Sequence, residues 1–183
     1  MYWERLTNII SLLENNREDL LQYFYTKNFD YTNFDNQDNN HISDKVFYYD
    51  YRLPQTELDH PVISKICSYD YISYCSLTKF PANLHIKEHL DPRPSDQIYQ
   101  ETQSHYFFEG ESEYRRIHFP LQDSGLNCYM IYDNQKITWK KGNCEVFDVA
   151  NYPHEFFNET ETSFALFLVD VIIGEGRITT PYQ

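Results

Sequence analysis

The chain has 183 residues, 41% of them hydrophobic and 17% aromatic, with a formal net charge of −13; that is enough for one domain with a sizeable core and unlike a disordered segment. The excess of acid argues against nucleic acid or an anionic membrane surface as a partner. Only five glycines are present, and no GxGxxG or GxxxxGKS/T pattern supplies a phosphate-cradling loop.

Near the N-terminus, Leu6, Ile9, Ile10, Leu13, Leu20, Leu21 and Phe24 recur at steps of three and four. This predicts an amphipathic helix over 3–25, which Asn15-Asn16 can break in two. The first apolar stretch carries charges and lacks a signal-peptide core, and no run approaches about 18 apolar residues. The expectation is a cytoplasmic protein without a membrane segment. Residues 26–45 are rich in Asn and Asp and read as an extended loop. Residues 1–45 are expected to pack on a core formed by 46–183.

From residue 46 the pattern changes to short β-rich runs: 46–53, 71–80, 83–89, 114–121, 128–133, 136–139, 144–149, 154–158 and 164–173. Turn residues separate them, among them Asp123-Ser124-Gly125, Asp133-Asn134 and Lys141-Gly142-Asn143. Many short strands with such punctuation predict a mainly β sandwich or barrel. Asp133-Asn134 reads as the turn of a hairpin. Residues 90–113, polar and carrying Pro92, Pro94 and Gly110, read as a long loop of the kind that often serves function. The cysteines Cys67, Cys75, Cys128 and Cys144 form no CxxC and read as reduced thiols.

The chemistry concentrates at His89-Leu90-Asp91. Side chains at i and i+2 point the same way on a strand, so His89 and Asp91 can share one ion. A mononuclear iron(II) oxygenase needs two imidazoles and one carboxylate on one face of the metal. His154, after a Tyr-Pro turn and before an apolar strand, is the candidate third ligand. The plainer reading of His89 and Asp91 is a polar stretch leaving a strand, in a chain with seven histidines.

The surrounding residues favour the metal. Arg116, His118, Pro120 and Leu121, followed by Gly142, Phe147, Asp148, His154, Asn158 and Asp170, resemble the aspartyl/asparaginyl β-hydroxylase family of iron(II)/2-oxoglutarate dioxygenases. The stretch FPANLHIKEHLD is similar to that family's proximal-histidine motif, with one extra residue. The His-x-Asp form matches members such as the proline cis-4-hydroxylase type, which keep a full ligand triad. The resemblance implies a double-stranded β-helix (jelly-roll, cupin-like) with an N-terminal helix. It implies iron(II) held by His89, Asp91 and His154 as metal and catalytic residues. It also implies 2-oxoglutarate as cosubstrate, contacted by Arg116 and His118, and an amino-acid substrate, free or peptidyl.

One position departs from the family. The arginine that anchors the distal carboxylate of 2-oxoglutarate lies ten residues after the distal histidine; here that position is Phe164. Either Arg116 carries that carboxylate, with Lys79 and Lys140 as weaker substitutes, or the cosubstrate is different or absent. The corresponding alternatives are a non-catalytic ligand-binding or regulatory module, or a metal-dependent cupin enzyme that does not use 2-oxoglutarate. His118 also reads as a core histidine, His85 as structural or rim, His105 as a solvated loop residue or one lining the entrance, and Asp148 as either an imidazole partner or the cap of the turn before His154.

Overall fold

The computed structural model describes residues 2–29, 32–33, 46–51, 58–91, 107–109 and 113–179. Most of the Asn/Asp-rich stretch and of the polar stretch 90–113, with His41 and His105, lies outside these residues. The helices are α1 (Tyr2–Asn15), α2 (Arg17–Thr26) and α3 (Pro61–Cys67). The strands are β1 (Thr32–Asn33), β2 (Phe47–Asp50), β3 (Ile72–Phe80), β4 (Leu84–His89), β5 (Phe107–Glu109) and β6 (Tyr114–Pro120). They continue with β7 (Cys128–Tyr132), β8 (Gln135–Ile137), β9 (Glu145–Phe147), β10 (His154–Asn158), β11 (Phe164–Ile172) and β12 (Arg177–Thr179). No helix of the described residues is long and apolar enough to cross a membrane.

The strand pairing is nested. β3 pairs with β11, β4 with β10, β6 with β9 and β7 with β8, all antiparallel. The first strand of the eight thus meets the last, the second meets the next to last, and so inward to the β7–β8 hairpin. A ribbon paired in this way and wound over two sheets is a double-stranded β-helix. The two sheets run β1-β2-β3-β11-β6-β9 and β4-β10-β7-β8. The innermost hairpin turns on Asp133 and Asn134, with φ of 46° and 61°. Two consecutive left-handed residues form the tight turn that suits strand twist, and Asp and Asn tolerate it best after glycine.

Strand alternation divides the core in two. Cys75, Leu77, Ile117, Phe119, Phe167, Val169 and Val171 leave the outer face of the six-stranded sheet and join Ile9, Leu13, Leu20 and Phe24 of the helices. The intervening residues point between the sheets, where Phe80, Leu84, Met130, Trp139, Phe147, Phe156, Phe164 and Leu168 pack together. The predicted helix over 3–25 is indeed two helices. Asn16 donates its side-chain amide to the Leu12 carbonyl at 2.8 Å, satisfying an orphan acceptor at the end of α1. The short α3 was not anticipated. His60 caps it by accepting from the Val62 amide, Pro61 supplies the first turn, and Val62, Ile63 and Ile66 are buried.

Gly142 fixes the approach of α2 to the barrel. Its φ is +71°, its amide donates to the Pro120 carbonyl at 2.8 Å, and a Cβ there would lie 2.8 Å from Cδ of Arg17. Gly142→Ala should cost about 1–2 kcal/mol from the left-handed backbone alone, read as a shift of the urea midpoint. An unchanged midpoint would show that the turn relaxes without strain.

Candidate metal centre

β4 carries the first ligand by way of a bulge. Its residues Leu84 and Ile86 face the interior, so strict alternation would send His89 outward. Between the pairs Phe156↔Ile86 and His154↔His89, β10 advances two residues while β4 advances three. The extra residue reverses the alternation and brings His89 inside, a common use of bulges near functional groups. Asp91 follows, its amide donating to the Val149 carbonyl at 3.0 Å. His154 opens β10 and is buried, and it pairs in register with both His89 and Tyr132.

The structure brings these three residues together. One ligand atom from each lies within 4.8 Å of the other two. Nε2 of His89 is 3.3 Å and Nε2 of His154 is 3.8 Å from the same oxygen, Oδ1 of Asp91. On the far side of each ring, Nδ1 faces a backbone carbonyl: Lys87 at 2.7 Å for His89 and Tyr152 at 3.4 Å for His154. A carbonyl only accepts, so each Nδ1 carries a proton, and each Nε2 is the atom left to face Asp91 and to ligate an ion once it is unprotonated. This is the arrangement that fixes imidazoles as metal ligands.

The electrostatics ask for a cation at the same point. Burial pushes the His154 imidazole down to about 4, keeping it neutral. Burial opposes the charge on His89, but the hydrogen bond and charge of Asp91 together with the Lys87 carbonyl outweigh it and raise the proton affinity of that ring. Burial raises the Asp91 carboxyl too, yet the Arg116 guanidinium beside it holds it well below the usual carboxylate range. The donor set therefore suits a divalent ion, with one ionised oxygen and two imidazole nitrogens aimed at one point.

Arg116 and His118 both point inward from β6, beside the triad. Arg116 is fully engaged in a buried network. Its Nε and Nη2 donate to the two oxygens of Asp170 at 2.7 Å each, and Nη1 donates to Oδ2 of Asp91. Arg116 and Asp170 are register partners across β6 and β11. Burial raises the Asp170 carboxyl, while the paired guanidinium opposes that and is itself held far above its ordinary value. Two parallel hydrogen bonds from an Arg mark an ionised carboxylate. The network leaves Oδ1 of Asp91 toward the imidazoles and turns Oδ2 away. Asp170 was not singled out from sequence for this role, although an acid within the apolar run FALFLVDVII signals a buried partner.

His118 stays neutral, because burial and then Arg116 push its imidazole well below the ordinary value. It lies 4.7 Å from the Phe147 ring and 5.8 Å from the Trp139 ring. Its Nδ1 and the Trp139 Nε1 are buried without a hydrogen-bond partner. Phe164 is 1% exposed and packs on Trp139 at 5.3 Å and on Phe156 at 6.5 Å.

Other candidates lie apart from the triad. His85 is on the outer face, paired with Glu155 at 2.6 Å and stacked on Phe157. Lys79 alternates with the inward residues Thr78 and Phe80 and so faces outward; Lys140 is 74% exposed. Asp148 caps the turn before His154, accepting from the Asn151 side chain at 3.0 Å and holding Arg115 at 3.1 Å.

A family model described as aspartyl/asparaginyl beta-hydroxylase matches residues 13–173. Among curated protein sequences none matches the chain. A solved non-heme monooxygenase, the ThoJ–nickel complex, is 19% identical over 64% of this chain and 52% of its own length, with a TM-score of 0.43. The cupin domain of Cnp3 from Schizosaccharomyces pombe is 7% identical over 74% of this chain and 70% of that one, with a TM-score of 0.41. A Thermus thermophilus protein, TT1209, is 11% identical over 56% of this chain and 74% of that one, at 0.36. All three TM-scores fall below 0.5, and nothing about the site follows from these likenesses.

Proposed function

Because this chain belongs to the aspartyl/asparaginyl beta-hydroxylase family, we propose that it is an iron(II)-dependent oxygenase acting on an amino acid or an amino-acid side chain. The observation that carries the reading is the convergence of His89, Asp91 and His154 on one point. Two imidazoles and one carboxylate occupy one side of an ion and leave its other positions open, as mononuclear iron oxygenases require. When bound, iron(II) supplies O₂ activation for hydroxylation of a C–H bond.

The protein's residues do the remaining work. The Lys87 and Tyr152 carbonyls hold both rings in the ligating tautomer. Arg116 and Asp170 fix the carboxylate so that one oxygen faces the ion. Phe147, Phe156 and Trp139 belong to the apolar core between the two sheets.

2-Oxoglutarate, the cosubstrate the resemblance implies, fits these residues poorly. Among the described residues no cation stands where Phe164 is, and Arg116 already serves Asp170 and Asp91. These two observations also support a second reading, a ligand-binding module in which the centre is kept but turnover is not. Isotope labelling separates the two. The iron-loaded protein, given ¹⁸O₂, a pool of 2-oxo acids and a mixture of free amino acids and peptides, should yield products carrying one ¹⁸O atom by mass spectrometry. Iron binding with no oxygen incorporated into any component would favour the module.

A further inference from the structure

The interior beside the triad has an uneven charge balance. Asp170, buried, and Asp91, largely buried, are two carboxylates that share the donors of one guanidinium, Arg116. With the histidine ligands neutral, as metal ligation requires, the two carboxylates and the one guanidinium leave one negative charge in excess. A divalent ion at His89, Asp91 and His154 reverses this to one positive charge. A single carboxylate on an incoming ligand then brings the buried assembly to neutrality. A second carboxylate would overshoot, and a buried charge without a partner is strongly unfavourable.

The surroundings lead to the same class of ligand. From His118 the ring contacts run through Trp139 to Phe164 and Phe156. Phe164 and Phe156 are apolar, and none of these ring contacts supplies a cation for a second carboxylate. The path does carry two unanswered polar atoms: Trp139 Nε1 can only donate, and His118 Nδ1 can donate or accept. They suit a neutral polar or apolar tail with a modest hydrogen-bonding need.

We propose that the organic ligand seated beside this centre is a 2-oxo acid with one carboxylate and an uncharged tail, rather than a dicarboxylate. The inference rests on the metal reading above. Its 2-oxocarboxylate end suits open positions on the ion, and its tail lies along His118, Trp139 and Phe164.

The test uses the full-length protein loaded with iron(II) under argon, after metal uptake has been measured by itself. The loaded protein is titrated with 2-oxobutyrate, 4-methyl-2-oxopentanoate and 2-oxoglutarate, and the visible metal-to-ligand absorption is read. The monocarboxylates should bind at least about tenfold more tightly than 2-oxoglutarate, since an unpaired buried charge costs well over the ~1.4 kcal/mol that a tenfold ratio represents. Phe164→Arg, checked for an intact melting transition, should move that ratio toward 2-oxoglutarate by at least about tenfold. The wild-type ratio decides if that variant fails to fold. Equal or tighter binding of 2-oxoglutarate to wild type overturns the inference, as does a metal-loaded protein that binds none of the three. Failure of the preceding metal titration overturns the metal reading itself.

Discussion

Replacing Arg116 with methionine is expected to destabilise the protein by about 3–5 kcal/mol, the range for removing one partner of a buried ion pair. The side chain of Asp170 is 2% exposed and takes both of its hydrogen bonds from this guanidinium, while Asp91 takes a third. Without Arg116 both carboxylates stay buried with no cation between them. The cost comes from that stranded charge, not from lost packing, because methionine keeps much of the apolar volume. Two further outcomes follow. Replacing Asp170 by leucine in the same variant should recover part of the loss, since apolar substitution of a whole buried pair is often neutral or stabilising. A divalent ion should also stabilise the single variant more than the wild type, because it supplies charge to Asp91. Urea unfolding with and without metal measures both; a loss below about 1 kcal/mol, the range of an exposed pair, would show that the network is solvated.

The second large effect concerns the ligands. His154→Ala should weaken metal binding by more than about 100-fold, beyond the 10–100-fold typical of losing an outer partner of a ligand. The ring cannot be replaced from nearby. His118 is inside the barrel but lies against Phe147 and Trp139, and His85 is on the outer face. Folding should survive, because the imidazole's hydrogen bond to the Tyr152 carbonyl is long, at 3.4 Å, and its remaining polar and ring contacts among the described residues are with the other two ligands. Equilibrium titration with an optical metal indicator checks this. Near-wild-type affinity would place the ion elsewhere.

Much of the barrel was legible because its strands are short and bounded by turn residues. The β7–β8 hairpin turns where Asp133-Asn134 predicts, and the run 154–158 coincides with β10. The strands β1, β5 and β12 have two or three residues each, too few for alternation to register. The helix α3 carried a signal in Pro61 followed by apolar residues at 62, 63 and 66, but seven residues show barely two turns of periodicity.

At the centre, spacing suggested that His89 and Asp91 share a side. The inward turn of His89 depends on a bulge, and alternation from Leu84 and Ile86 would have pointed it outward. Spacing put Arg116 and His118 on one face of a strand, and the family resemblance set that face beside the triad. Neither showed that the charge of Arg116 is already committed. That depends on Asp170, 54 residues away, arriving opposite it on β11. Phe164 stood out in the sequence as a departure, but its packing on Trp139 and Phe156 required the folded barrel.

The central claim is that His89, Asp91 and His154 form one metal site. The most direct test is a cobalt(II) titration of the metal-free protein, read by its visible d–d absorption, beside the Asp91→Asn and His154→Ala variants. A single site saturating at one equivalent in the wild type, and lost or strongly weakened in both variants, is the predicted result. A wild type that takes up no ion, or variants that bind it as the wild type does, would contradict the claim.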